Sequence, residues 1–309
     1  MNHEGYWTAL NRRRLWPKIL DTPPVHTDTP TPDSDLCVHL MCYAGDYLCA
    51  IWALKSFYHH AGNPYPLCVH VQGESTPVLE GRLRAHFPNA RLILQAEADQ
   101  IVEPYLRERN WTNLLKYRKA LPTVQKLTDF LILAQAHRIV IFDSDVLFFQ
   151  NPVELTSTDS SQDGLALFQR DYIDAYSLSL ACARSDFGID LQPSINVGMV
   201  RLSPDVIDLA NCEAYLAHPA FADFEGHTEQ TLWALEVSRT QSVTYLPPSY
   251  LLSLETKVDY NTLKARHYAG PTRVLLTRQG IPQLIQRGFL QSLKNGTAEK
   301  AGCAPAPKI

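Results

Sequence analysis

Short apolar runs alternate along the chain with longer amphipathic stretches. Residues 36–41, 67–71 and 90–94 are apolar runs of strand length, and residues 47–60 and 78–87 between and after them carry helical spacing. Residues 122–136 place Val124, Leu127, Phe130, Leu131 and Ala134 on one helical face, with Lys126 and Asp129 at i, i+3 on another as a solvated pair. A further run, Arg138-Ile139-Val140-Ile141-Phe142, fits a strand buried on both faces. Beyond it, residues 165–168, 194–202 and 243–246 read as strands, and 205–218, 228–237 and 281–293 as helices. Residues 111–119 are polar and aromatic. Strands alternating with helices predict an α/β fold with one mixed, mostly parallel sheet flanked by helices.

The flanks differ from this body. Residues 1–20 set Tyr6, Trp7, Leu10, Leu15 and Trp16 around Arg12, Arg13 and Arg14. That pattern suits a surface helix or a peripheral contact with an anionic membrane. Residues 21–35 collect prolines among Thr and Asp and read as a linker. Residues 295–309 are small and Pro-containing and are expected to be disordered. The division is therefore 1–35 extension and linker, 36–294 one domain, and 295–309 tail.

Composition narrows the chemistry. The chain has 309 residues, 45% of them hydrophobic, enough for a large core. A net charge of -4 excludes the strongly basic field of a nucleic-acid binder. No apolar run reaches membrane-spanning length, and no signal-peptide core follows Met1. The seven cysteines include no C-x-x-C pair, and Cys37, Cys42, Cys49 and Cys68 sit in apolar contexts. They read as buried thiols of a cytoplasmic protein, with no zinc site expected.

The strand at 138–142 ends in Asp143-Ser144-Asp145, with the apolar Val146 to Phe149 beyond. Open α/β sheets bind ligands at the carboxyl ends of their strands. Two carboxylates at i and i+2 of an extended segment point the same way and can approach one hard cation, Mg²⁺ or Mn²⁺, shared with phosphate. Gly198, inside the strand at 194–202, marks a close approach of ligand or backbone.

These motifs, in their order, resemble those of the GT-A nucleotide-sugar glycosyltransferases, and within them the retaining group that holds glycogenin and the bacterial lipooligosaccharide galactosyltransferases. The resemblance runs from Leu36 to Arg273. It rests on the first strand and its loop, Lys126, Asp143-Ser144-Asp145, Asn196-Val197-Gly198-Met199-Val200, Glu229-Gln230, and His267-Tyr268-Ala269-Gly270-Pro271-Thr272-Arg273. It implies a Rossmann-like sheet and transfer of a hexose from a nucleotide-diphosphate sugar, UDP expected, with retention at the anomeric carbon. Asp143, Asp145 and His267 would bind Mn²⁺ or Mg²⁺. Met41, Cys42 and Tyr43 would border the base with Asp46 nearby, and Lys126, Asp143 and Ser144 would lie along the donor. Asn196 and Gly198 would face the sugar, Gly270 and Arg273 would hold the diphosphate, and Gln230 would sit beneath the anomeric carbon, with Glu229 beside it. The acceptor, whether glycan, lipid-linked, protein or small molecule, is not legible; residues 172–192 or 218–227 are where it would be contacted.

Three positions depart from the pattern. Glu229 stands where this group usually has Asp, Arg273 replaces Lys and is followed by Val274-Leu275, and Asp46 occupies an aromatic position. Two other readings remain. Ile141 to Leu147 also looks like the nucleophile motif of haloacid-dehalogenase-type phosphatases, with Asp186 and Asp190 as later acids. A non-catalytic sugar-nucleotide-binding protein on the same fold would carry the same residues.

Overall fold

The computed structural model describes residues 3–157, 165–222 and 227–301. Among the described residues ten strands form two sheets. Strands β1 (Leu36–Tyr43), β2 (Leu67–Gln72), β3 (Arg91–Leu94), β4 (Arg138–Phe142), β6 (Ala166–Arg170), β7 (Ile195–Leu202) and β8 (Val243–Tyr245) make the large one, in the order β3-β2-β1-β4-β7-β6-β8. Strands β5 (Val146–Phe148), β9 (Tyr250–Leu252) and β10 (Ala265–His267) make the small one, in the order β5-β10-β9. Pairing in the large sheet is parallel except where β7 runs antiparallel to β4 and β6.

Period-two alternation assigns each strand residue to one of two cores. Val38, Leu40 and Cys42 of β1, with Val140 and Phe142 of β4, face the helix Tyr47–Ala61 and its Trp52 and Phe57. Cys37, Ile139 and Ile141 face the other way, toward Val102, Leu127 and Phe130 of the helices Gln95–Glu108 and Val124–Ile132. Both faces are covered, which is why β4 shows no polar residue between Ile139 and Phe142.

The structure adds helices that the sequence pattern did not show. Gln95–Glu108 carries Pro104 in its interior yet buries Ala98, Val102 and Leu106 along one face, and Thr112–Ala120 is short and polar. Leu180–Phe187 is bounded by signals that were present: the Ser179 side chain caps Cys182 N, and Gly188 closes the helix at φ 67°. The helix expected over 205–218 is shorter, Leu209–Tyr215, capped by Asp208. The last helical stretch breaks at Gly288, φ 79°, into Ile281–Gln286 and Phe289–Ala301, so residues 295–301 are helical and only 302–309 of the expected tail lie outside the described residues.

The first residues are a helix, His3–Leu15, as one of the two sequence readings has it. The segment after it is docked. Trp16 is buried, its indole N–H donates to Thr277 Oγ1 at 3.1 Å, and Trp52 Nε1 donates to the Trp16 carbonyl at 3.0 Å. Lys55, fully buried, spends its ammonium on Thr22 and Pro23: Nζ lies 2.7 Å from Thr22 Oγ1 and 2.6 Å from the Pro23 carbonyl. Burial pulls its pKa down to about 7. The Pro-rich stretch is thus laid along the body by a side chain from the core.

Candidate active site

The site begins where β4 leaves the core. Asp143 N donates to the Gly198 carbonyl at 3.0 Å, and Val146 N closes a turn onto the Asp143 carbonyl at 3.1 Å. The chain then enters the small sheet as β5. There β10 pairs antiparallel with β5, setting His267 opposite Val146, and Tyr268 N donates to the Asp145 carbonyl at 3.0 Å. This pairing carries a distant imidazole to the two carboxylates: His267 Nε2 stands 3.3 Å from Asp145 Oδ1 and 3.6 Å from Asp143 Oδ2. One ligand atom from each of the three lies within 4.8 Å of the others.

The imidazole is held from behind. Its Nδ1 meets Gln169 Oε1 at 3.0 Å, and Gln169 Nε2 donates to the Tyr250 carbonyl at 3.2 Å. The second bond orients the amide so that its oxygen accepts from Nδ1–H, leaving the Nε2 lone pair for the carboxylate side. Gln169 reaches this position because the β6–β7 register shifts between Phe168 and Gln169. Gly198 supplies the space. A Cβ there would lie 2.0 Å from His267 Cε1 and 2.4 Å from Nδ1. The glycine read from sequence as a close approach of ligand or backbone is the seat of the imidazole.

Charge decides what the cluster wants. Asp46, Asp143, Asp145 and Glu229 face Lys126 and Arg273 as the permanent cations. Four acids against two cations leave an excess of two negative charges when all are ionised, which a divalent ion would neutralise. Two carboxylates and an oriented imidazole are a donor set compatible with Mn²⁺ or Mg²⁺, so the residues present fit such an ion. Burial opposes protonation of His267, yet Asp145 and Asp143 outweigh it and raise the imidazole above its ordinary value. Burial likewise works against the charge of Asp145, and the His267 contact more than offsets it, lowering that acid. The raised histidine pKa has a consequence for metal loading. A proton on Nε2 competes with the ion, so Mn²⁺ affinity is expected to weaken as pH falls through that raised value, earlier than an ordinary histidine near ~6.5 would allow. Without metal the sign reverses: the His267–Asp145 pair stabilises the fold at low pH and loses that contribution as pH rises through the same value. Melting curves against pH, with and without Mn²⁺, check both slopes.

The other residues named from sequence fall around this centre, with roles partly redistributed. Lys126 does not pair with Asp129. Its Nζ donates to Asp143 Oδ1 at 2.9 Å and lies 3.8 Å from Glu229 Oε2, while Asp129 takes two bonds from Arg118 at 2.7 and 2.8 Å. Asp46 is a bracket: it accepts from Tyr43 N at 2.9 Å and from Ser144 Oγ at 2.6 Å, and lies 3.5 Å from Arg273. Burial pushes its carboxyl pKa up. Ser144 is spent on that link. Arg273 also stands 3.7 Å from Asp145 Oδ2, half exposed. Gly270 adopts φ 52°, open to any approach at its Cα. At the end of β1 the Tyr43 ring is exposed and Met41 half-buried, but the Cys42 thiol points into the core, so only its backbone can border a base.

Glu229 and Gln230, adjacent on the helix Thr228–Thr240, turn to different neighbours. Glu229 is buried, accepts from Trp233 Nε1 at 3.1 Å, and has its pKa pushed up to about 7 by burial despite Lys126. Gln230 Nε2 donates to the Ala175 carbonyl at 2.9 Å, and its Oε1 accepts from Asn196 Nδ2 at 3.3 Å. Asn196 in turn donates to Asp171 Oδ2 at 2.9 Å and accepts from Gly198 N at 2.8 Å. Asp171, one residue beyond β6, is a functional candidate that the sequence did not reveal, as is Gln169. Asp186 and Asp190, the acids of the phosphatase reading, lie at the surface against His218 and Arg184. Of the proposed acceptor segments, residues 223–226 lie outside the described residues.

Neither a protein-family model nor a curated protein matches the chain. Among solved structures it is similar to mouse xyloside xylosyltransferase 1 at 14% identity, covering 76% of this chain and 97% of that one with a TM-score of 0.49. It is similar to the bifunctional glycosyltransferase WbbM at 14% identity, covering 85% of this chain and 53% of that one, TM-score 0.49. It is also similar to LgtC at 15% identity, covering 76% and 88%, TM-score 0.48. The chain spans about half the length of WbbM.

Proposed function

We propose that this protein is a metal-dependent glycosyltransferase that moves a hexose from a nucleotide-diphosphate sugar, a UDP-sugar, to an acceptor with retention of configuration. The observation that carries the reading is the convergence of Asp143, Asp145 and His267 from two sheets, with Arg273 beside them. When bound there, Mn²⁺ or Mg²⁺ supplies Lewis-acid stabilisation of a diphosphate leaving group. Arg273, half exposed at the rim, adds a fixed positive charge where the departing diphosphate gains negative charge. Lys126 holds Asp143 by its Oδ1 and leaves Oδ2 on the His267 side. Tyr43 offers an exposed aromatic face for a base.

Around the anomeric carbon, Asn196 fixes the amide oxygen of Gln230 and the carboxylate of Asp171 within one hydrogen-bonded group. A neutral amide oxygen stabilises an oxocarbenium-like sugar without trapping it, being a far weaker nucleophile than the carboxylate of a retaining hydrolase. The acceptor's proton then passes to the leaving phosphate on the same face. Arg12, Arg13 and Arg14, all exposed in the last turn of the helix His3–Leu15, fit a peripheral contact with an anionic membrane or a lipid-linked acceptor.

A thermal-shift screen of sugar nucleotides with and without Mn²⁺, followed by NMR of the product linkage, tests the assignment. Metal-dependent stabilisation by a UDP-hexose and transfer with retention are expected. Stabilisation without any turnover to water or acceptor would leave a binding protein, and release of phosphate from phosphomonoesters would leave a phosphatase. Gln230→Ala is expected to lower turnover by about 10²–10³ with donor KM nearly unchanged. A loss confined to KM would remove the role given to Gln230.

A further inference from the structure

The sequence carries the same four residues twice, as Leu36-Cys37-Val38-His39 and Leu67-Cys68-Val69-His70. They lie on β1 and β2, adjacent and parallel, in a register that sets His39 opposite Cys68. Residues at i and i+2 of a strand share a face. Cys37, His39, Cys68 and His70 therefore all point into the core on the Phe130 side of the sheet, away from the helix Tyr47–Ala61. Cys37, His39 and Cys68 are fully buried and His70 nearly so. Phe130 roofs the imidazoles, its ring centroid 4.3 Å from that of His70 and 5.5 Å from that of His39.

Within this group the two thiol sulfurs are 3.7 Å apart, and His39 Nδ1 lies 3.0 Å from His70 Nε2. One ligand atom each from Cys37, His39 and Cys68 falls within 4.8 Å of the other two. The plain interpretation is a pair of thiols and a pair of neutral imidazoles bonded to each other in an apolar core. It leaves His39 Nε2 and His70 Nδ1 buried with no hydrogen-bond partner. Buried polar atoms are seldom left unpaired, and two in contacting side chains is an unusual concentration.

We propose that this cluster is a structural metal site for Zn²⁺, bound by Cys37, Cys68 and His39, the three whose ligand atoms lie together. Two sulfurs on one tetrahedral zinc, each at ~2.3 Å, stand about 3.8 Å apart, close to the spacing already present. Binding displaces the two thiol protons to solvent. The two thiolates then cancel the charge of the ion, so the low-dielectric core receives a neutral assembly. Softness selects the same ion, since thiolate and imidazole suit Zn²⁺ and not the hard cation that Asp143 and Asp145 favour. The site would clip β1 to β2 through side chains, beneath the strand whose end carries Tyr43 and Asp46. It is independent of the transferase reading, because none of its members belongs to the Asp143–Asp145–His267 cluster.

The test uses the full chain expressed in zinc-supplemented medium and dialysed against EDTA to strip accessible divalent ions. Elemental analysis is expected to find about one zinc per chain, retained equally in Asp145→Asn and lost in the Cys37→Ala/Cys68→Ala double variant. Protein grown with Co²⁺ is expected to show thiolate-to-cobalt charge-transfer absorption, a signature that the carboxylate–histidine cluster cannot give. The cobalt spectrum of the unaltered protein decides the matter if the double variant does not fold. Wild-type protein without zinc and without those bands overturns the proposal, and so does zinc that disappears with Asp145→Asn and persists in the double variant.

Discussion

Asp145→Asn is expected to lower Mn²⁺-dependent sugar transfer by about three orders of magnitude while leaving the fold intact. The substitution keeps the shape of the side chain and removes one negative charge from the centre of the cluster. Three things change together. A carboxylate ligand becomes an amide, which holds a hard cation far less strongly. His267 loses the main partner that raises its pKa, and Arg273 loses one of its two carboxylate neighbours. Lewis-acid stabilisation of a leaving diphosphate is worth several kcal/mol, and each 1.36 kcal/mol is about tenfold in rate, which sets the size of the loss. The melting temperature without metal should fall only modestly, because the amide keeps the side chain's shape while the ionic part of its contacts with His267 and Arg273 is lost. The measurement is turnover at saturating Mn²⁺ beside the melting temperature with and without the ion. Turnover within tenfold of wild type, or an undiminished Mn²⁺ shift, would show that these carboxylates do not hold the metal.

The elements of this site were unequally visible in the sequence, for physical reasons. Asp143 and Asp145 stood out because a run buried on both faces ended in two acids, a combination that a solvated turn seldom shows. The position of Gly198 signalled a close approach, but sequence could not say of what, since the ring it admits arrives from a different sheet. Gln169 and Asp171 gave no local signal at all. A glutamine in a strand followed by Arg170 reads as a solvent-facing edge, and only the register shift in β6 turns it inward against His267. Cys42, which the resemblance sets along the base, can border it only through its backbone, because alternation along β1 sends the thiol with Val38 and Leu40 into the core. Glu229 reaches Trp233 four residues on in its own helix, but its approach to Lys126 depends on packing against a helix elsewhere in the chain. The repeated Leu-Cys-Val-His was visible in the sequence, but only the β1–β2 register shows that its cysteines and His39 come together.

Gly198→Ala tests the site from outside its ligand set. The added Cβ would lie 2.0 Å from His267 Cε1, 2.4 Å from its Nδ1 and 2.9 Å from Asn196 Oδ1. None of these neighbours is the free end of a flexible side chain. His267 is buried and tied through Nδ1 to Gln169, and Asn196 is tied to Asp171 and Gln230. Either the imidazole is driven off its seat or β7 shifts, and overpacking of this kind costs about 1–3 kcal/mol. Displacing the ring breaks the Gln169 contact and moves Nε2 away from the carboxylates, so Mn²⁺ affinity is expected to fall by about 10–100-fold. Combining the change with His267→Ala separates the causes. If the methyl acts by striking the ring, removing the ring leaves only the 2.9 Å contact to Asn196 Oδ1, so the double variant is only slightly less stable than His267→Ala alone, and the two substitutions are strongly non-additive in both stability and metal affinity. Isothermal titration with Mn²⁺ and melting temperatures of the three variants supply the cycle. Wild-type Mn²⁺ affinity in Gly198→Ala, or additive losses in the double variant, would mean that Gly198 does not make room for the imidazole and that the metal site is held by other means.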